Sequence, residues 1–243
     1  MFKRVWNTPE LQYFNLYQDM LNQIHLLIAG ATGSGKSVII NGMIITALKD
    51  SPSKVQFILI DPKRVELADY RNLPHTIAYA SEPGSMVKAL QYAMQITEKR
   101  YKEMQKAGQK KYTGSAVYVF IDELADLMIT NKKAVEPLIQ RLCQIGRAAN
   151  IHVVAATQSP VAAVIPTPIK VNFDSRIGLR TRSAQDSRNI LGVKGCETLP
   201  AYGQGYYMTA QQIQLYNIPM YSPETTARII NHWTQQKPRI VWK

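Results

Sequence analysis

The sequence predicts an α/β fold: a mostly parallel central sheet flanked by helices, closed by a small C-terminal β-hairpin and helix. Three observations predict it. Short apolar runs alternate with longer helical patterns, the order that builds a parallel sheet covered on both faces. Those runs are apolar throughout rather than alternating, as strands buried on two sides must be. Several end in polar residues, at the edge where α/β sheets bind ligands. At 243 residues, with 46% hydrophobic and 19% charged residues, the chain suits one large globular domain.

Residues 1–24 read as a lead-in, with a helix over Pro9 to Leu21 whose apolar positions are Leu11, Phe14, Leu16, Tyr17, Met20 and Leu21. The first strand, His25 to Ala29, runs into Gly30-Ala31-Thr32-Gly33-Ser34-Gly35-Lys36-Ser37, which fits G-x-x-x-x-G-K-[ST]. That pattern is a P-loop. Glycines let backbone N–H groups turn inward onto phosphate oxygens, and the following helix adds its positive end. Lys36 would reach the β- and γ-phosphates, and the Ser37 hydroxyl would ligate Mg²⁺.

The run Val38 to Leu48 is the helix expected behind such a loop, ended by Ser51-Pro52-Ser53. Val55 to Ile60 is a second strand, ending at Asp61-Pro62-Lys63; Asp61 sits at the edge where such sheets bind ligands, but from the residues alone Asp61 and Lys63 read as turn residues rather than site residues. Thr76 to Ala80 is a short strand, and Ser85 to Ala107 a long helix with a basic end containing Lys99, Arg100, Lys102, Lys106, Lys110 and Lys111. A solvated helix face and a polyanion contact both fit that end.

Ala116 to Ile121 is a strand followed directly by Asp122-Glu123, the Walker B pattern. Asp122 would hold the Mg²⁺ shell and Glu123 would polarise the attacking water as general base. Lys132 to Ala149 is an amphipathic helix, and Val153 to Ala156 a strand ending at Thr157-Gln158. Gln158 would sense the γ-phosphate or orient water, or simply cap the strand. Ser159 to Pro168 reads as a surface loop, Arg176 to Leu179 as a strand, and Ser183 to Leu191 as a Ser-capped helix. Gly203 to Met208 and Gln212 to Ile218 form the hairpin; Ser222-Pro223 opens a last helix to about Gln236, and residues 237–243 are a basic tail. P-loop, Walker B and then a polar-ended strand specify a RecA-like P-loop NTPase core. No G-x-G-x-x-G supports a dinucleotide-binding alternative.

The net charge of +12 points to a polyanion, nucleic acid or an anionic surface, although a basic proteome would also raise it. Cys143 and Cys196 lack metal-ligand spacing and make no disulfide framework, so a cytoplasmic, reducing setting is expected. No apolar run reaches the length of a membrane span, and no apolar stretch follows Met1 to Trp6 as a signal peptide would require. Membrane attachment would come through a partner.

Six blocks resemble the motor domain of the FtsK/SpoIIIE family of DNA translocases, in the FtsK–HerA group of ring ATPases. They are His25 to Ser37 with Asn41, Ile60 to Leu67, Ile121 to Met128, Gly146 to His152, Ala156 to Pro160 and Asp186 to Gly192, in family order. The resemblance implies that residues 25–236 are an ATPase motor using ATP and Mg²⁺, with Gly30, Ala31, Thr32, Gly33, Ser34, Gly35, Lys36 and Ser37 around the phosphates. It implies the Walker B pair at Asp122 and Glu123, a sensor at Gln158, and at Arg147 a trans arginine finger inserted into a neighbouring subunit. It further implies a hexameric ring on double-stranded DNA, which the basic excess suits. The membrane spans, second ring-forming domain and winged helix of larger members find no room here. The chain is therefore expected to be a stand-alone minimal motor of a conjugative element, plasmid or phage, serving DNA transfer, replication or packaging, with a membrane or relaxase partner. A protein-export ATPase and a nucleotide-gated assembly factor are the other readings the resemblance leaves open.

Overall fold

A computed structural model describes residues 14–236. In chain order the elements are α1 (Phe14–Asn22), β1 (His25–Ala29), α2 (Lys36–Ala47), β2 (Val55–Ile60), β3 (Thr76–Ala80), α3 (Pro83–Ala107), β4 (Ala116–Ile121) and α4 (Leu124–Ile145). They continue with β5 (Ile151–Thr157), α5 (Thr167–Lys170), β6 (Ser175–Gly178), α6 (Ala184–Leu191), β7 (Gln204–Met208), β8 (Ile213–Asn217) and α7 (Pro223–Thr234). Short 3₁₀ turns lie at Ala68–Tyr70 and Cys196–Thr198.

The eight strands form one sheet in the order β3-β2-β4-β5-β1-β6-β7-β8. From β3 to β6 all pairings are parallel, and β7 and β8 add antiparallel to the β6 edge. The parallel strands are buried along almost their whole length, which is why the sequence reads as continuous apolar runs. Successive residues serve opposite faces. Leu27, Val119 and Val153 pack under α3 and α4, against Leu90, Ala93, Ile139 and Leu142. Leu26, Ile28 and Phe120 pack on the other side against Tyr17 of α1, Ile40 and Met43 of α2, and Trp233 of α7.

α1 comes close to α2 because Gly42 lacks a side chain: a Cβ there would meet the Tyr17 ring at 2.1 Å. The Tyr17 hydroxyl donates to the Pro219 carbonyl, tying α1 to the approach to α7. The start of the expected lead-in helix, residues 9–13, and the basic tail lie outside the described residues.

Three expectations change in detail. α4 begins at Leu124, and a break at Asn131 (φ −153°, ψ 57°) separates an extra first segment from the helix expected from Lys132. It ends at Ile145, because residues 146–150 form a turn closed by Asn150 at φ 56°. The expected surface loop 159–168 instead buries Val164 and Ile165, and Ile169 of α5 joins them in the core under α4. Arg100, assigned to the basic end of the long helix, is buried.

Candidate functional site

β1 is flanked by β5 and β6, and β4 lies beyond β5. All four run parallel. The loops after β1, β4 and β5 therefore leave the sheet at one carboxyl edge, and there they line a cleft of about 300 Å³ with Thr32, Lys36, Ser37, Lys63, Asp122 and Gln158 among its walls.

The loop after β1 is shaped by its glycines. Gly33 and Gly35 take φ of 76° and 104°, backbone that a side chain would strain. Gly30 has an ordinary φ but no room: a Cβ would sit 2.6 Å from Ser34 Oγ and 2.7 Å from Leu179 Cβ. The loop is tied to the neighbouring strand end through Ala31 N–H, which donates to the Arg180 carbonyl at 2.7 Å. Lys36 is buried at the head of α2, and its ammonium donates to the carbonyls of Gly30 (2.7 Å) and Ala31 (2.8 Å), spanning the loop. Burial pulls its pKa down to about 8 against the upward pull of Glu123.

Asp122 and Glu123 emerge from β4, both buried. Glu123 caps α4, accepting from Ala125 N–H at 3.3 Å, and both its oxygens accept from Gln158 N–H at 3.2 Å. The Gln158 side-chain oxygen accepts the Thr32 hydroxyl at 2.6 Å. The five residues expected to act together, Lys36, Ser37, Asp122, Glu123 and Gln158, thus meet at one edge.

From the residues alone Lys63 reads as a turn residue, and Glu66 is not singled out as a site residue; both line the same cleft. Asp61, fully buried, accepts from Leu67 N–H (3.1 Å) and the Tyr79 hydroxyl (3.3 Å), folding residues 61–67 over the site. Lys63 Nζ lies 3.5 Å from Glu123 Oε2. The signal was Asp61-Pro62-Lys63 at a strand's carboxyl end, but the pairing with Glu123 crosses 60 residues of sequence.

Burial, then the charges of Glu66 and Asp61, push Asp122 up to about 7. A site with that surplus of negative charge fits a divalent cation. Among the described residues no cluster of three or more His, Cys, Asp or Glu could hold a metal alone. The donors present are the Ser37 hydroxyl and the Asp122 carboxylate, a set suited to an ion like Mg²⁺ that keeps water and phosphate oxygens.

Arg147 does not join this group. It is exposed in the turn before β5, at the opposite edge of the sheet, roughly 20 Å from Gln158 along the strand. That turn is heavily braced. The buried Arg100 donates to the carbonyls of Ala149 (2.7 Å) and Asn150 (3.0 Å) and to Ser115 Oγ (3.2 Å), with its guanidinium 4.3 Å from the centre of the Tyr112 ring. Tyr101 donates its hydroxyl to the Ile145 carbonyl at 3.0 Å, and Tyr112 N–H donates to the Ala148 carbonyl at 2.8 Å.

A family model described as the FtsK/SpoIIIE family matches residues 11–116 and 112–162. The DNA translocase FtsK of Rickettsia typhi is 38% identical over 237 aligned residues, which cover 79% of this chain and 32% of the relative. The chain thus spans about a third of the length of such curated relatives. Among solved structures, the cytoplasmic domain of the type VII secretion ATPase EccC of Thermomonospora curvata superposes with a TM-score of 0.78 at 21% identity, covering 90% of this chain and 29% of that one. The pCW3 conjugation coupling protein TcpA, solved as a monomer with ATPγS, gives 0.76 at 24%, covering 88% and 66%. These two likenesses concern the fold.

Proposed function

The chain belongs to the FtsK/SpoIIIE family, and from that premise we propose that it is an ATP-driven motor that moves double-stranded DNA, serving the transfer, replication or packaging of mobile-element DNA. Residues 25–236 are the motor, residues 1–24 its lead-in and residues 237–243 a basic tail. The observation that carries the ATPase reading is the convergence of Lys36, Ser37, Asp122, Glu123 and Gln158 at one sheet edge. DNA as the substrate is supported by relatives named DNA translocase and by the net charge of +12, because lysine and arginine contacts to phosphate give the sequence-independent grip a motor needs.

In this reading the N–H groups of residues 30–37 and the Lys36 ammonium hold the β- and γ-phosphates of ATP. Ser37 and Asp122 would hold Mg²⁺, which would supply charge neutralisation at the phosphates. Glu123 accepts a proton from the attacking water, and Gln158 keeps that water and the carboxylate in register. Little covalent work is left for the protein, so positioning dominates. Arg147 serves a neighbouring copy in a ring, hexameric in our reading. Its exposure at the far edge suits action in trans, and its braced turn suits a group that must arrive in a fixed position.

The test is steady-state ATP hydrolysis with and without long double-stranded DNA over a salt series. Strong stimulation that fades with salt is expected. Hydrolysis indifferent to DNA would overturn the DNA reading and favour a protein-export ATPase, the class to which one structural neighbour belongs.

A further inference from the structure

Both oxygens of the Glu123 carboxylate are engaged, by three donors. Two of its three partners, Ala125 N–H and Gln158 N–H, are backbone groups fixed by the start of α4 and the end of β5. The third is Lys63 Nζ, 3.5 Å from Oε2. A carboxylate can take a proton from water only through an oxygen that presents a free lone pair. Of the three donors, only Lys63 sits on a long, rotatable side chain that can leave.

Lys63 is also the donor with another destination. Its side chain is 40% exposed, against 4% for Glu123, and it lines the same cleft as Lys36 and Ser37. At 3.5 Å its pairing is loose, and a half-exposed ion pair holds weakly. A terminal phosphate brings more charge and more acceptor oxygens than one carboxylate, so it competes well for the same ammonium. The loop that carries Lys63 is itself fixed, through the grip of Asp61 on Leu67 N–H, so the choice between partners falls to the side chain.

We propose that Lys63 is a positioning residue that exchanges Glu123 for the γ-phosphate of a bound nucleoside triphosphate, freeing Glu123 as a base only when a hydrolysable phosphate is there. This rests on the nucleotide-site reading above. It assigns the cleft a way to tell triphosphate from diphosphate: a diphosphate offers Lys63 no γ-phosphate and leaves the Lys63–Glu123 pair closed. A plain tether would hold Glu123 whatever nucleotide is bound.

The experiment is equilibrium titration of the full chain with fluorescent mant-ADP and with the mant derivative of a non-hydrolysable ATP analogue. Lys63→Met is expected to weaken the triphosphate about tenfold, the worth of one charge-assisted hydrogen bond, and to leave ADP within about twofold. Lys63→Arg should recover most of the loss. Glu123→Gln, which releases Lys63, should tighten triphosphate binding severalfold in the wild-type background and do nothing in the Lys63→Met background. Equal weakening of both nucleotides by Lys63→Met, or the same Glu123→Gln effect in both backgrounds, would overturn the proposal. Lys36→Ala separates the two levels. If it leaves nucleotide binding intact, the nucleotide-site reading fails; if it abolishes binding while Lys63→Met does not discriminate, only this inference fails.

Discussion

Thr32 donates its hydroxyl to the side-chain oxygen of Gln158 across 2.6 Å, joining the phosphate loop to the end of β5 over 126 residues of sequence. Gln158 holds Glu123 through its backbone at the same time. One residue therefore couples the loop that would surround phosphate to the group that would activate water. Gln158→Ala keeps the backbone contact and removes the side-chain latch. Nucleotide affinity should stay within about threefold while turnover falls tenfold or more, the pattern of a group that matters in the transition state. Thr32→Val should give a smaller loss of the same kind. A change in affinity alone would contradict this role.

Gly30→Ala tests the packing of the loop. The new Cβ meets Ser34 Oγ at 2.6 Å, Leu179 Cβ at 2.7 Å and the Arg180 carbonyl at 3.2 Å, and two of those three cannot rotate away. Overpacking of this kind costs about 1–3 kcal/mol. Urea unfolding should show that loss, and mant-nucleotide titration a weaker site. Wild-type values for both would mean that the loop yields more easily than its packing implies.

Arg100→Met tests the brace under Arg147. The substitution strands the buried carbonyl of Ala149, while Asn150 keeps the Val117 N–H as donor, so stability should fall by about 1–3 kcal/mol in urea unfolding. Turnover should fall as well, with nucleotide affinity preserved, because the turn that presents Arg147 is loosened while the cleft is untouched. In an Arg147→Ala background, Arg100→Met should reduce turnover little further. Full additivity of the two losses would show that Arg100 acts on the fold alone.

The buried histidines set an acid limit on stability. Burial lowers His25 to about 3 and His75 to about 4. His25 Nδ1 accepts the Val153 N–H at 3.1 Å, a role that protonation there would end. Both folded values lie below the usual 6.5, so the unfolded chain binds the extra protons. Their contribution is complete above pH 6.5 and is lost as pH falls toward 4, at up to about 1.4 kcal/mol per pH unit for each histidine. Asp122, raised to about 7, and Asp126, raised by partial burial, work in the opposite direction, while His152, lowered by burial, adds to His25 and His75. Urea unfolding at pH 6.5 and 5.0 should show a net loss of about 2 kcal/mol. Equal stability at the two pH values would contradict the burial of these rings.

Local pattern carried much of this structure. His25–Ala29, Val55–Ile60, Thr76–Ala80 and Ala116–Ile121 are strands at the boundaries their apolar runs imply, because strands buried on both faces leave an unambiguous signal. The P-loop and Asp122-Glu123 were legible for a similar reason: phosphate binding demands particular residue types at fixed spacing. What stayed hidden depends on three-dimensional order. Nothing local says that β5 inserts between β1 and β4, which is what brings Gln158 to both Thr32 and Glu123. Arg100 reads as one more basic residue on a basic helix end until the turn at 146–150 is folded against it. The break at Asn131 separates Leu124, Leu127 and Met128 from the longer apolar stripe that starts at Val135, so the first segment of α4 does not continue that stripe. Val164 and Ile165, in a proline-bearing stretch, look like loop and pack as core.

The most direct measurement of the central claim is displacement of a triplex-forming oligonucleotide from a long linear duplex by the purified chain. Movement along DNA strips the third strand, whereas hydrolysis without movement does not. We predict displacement with ATP and Mg²⁺, and none with ATPγS or with Glu123→Gln, which should still bind nucleotide. Steady hydrolysis of ATP on the same duplex with the third strand left in place would contradict a DNA motor.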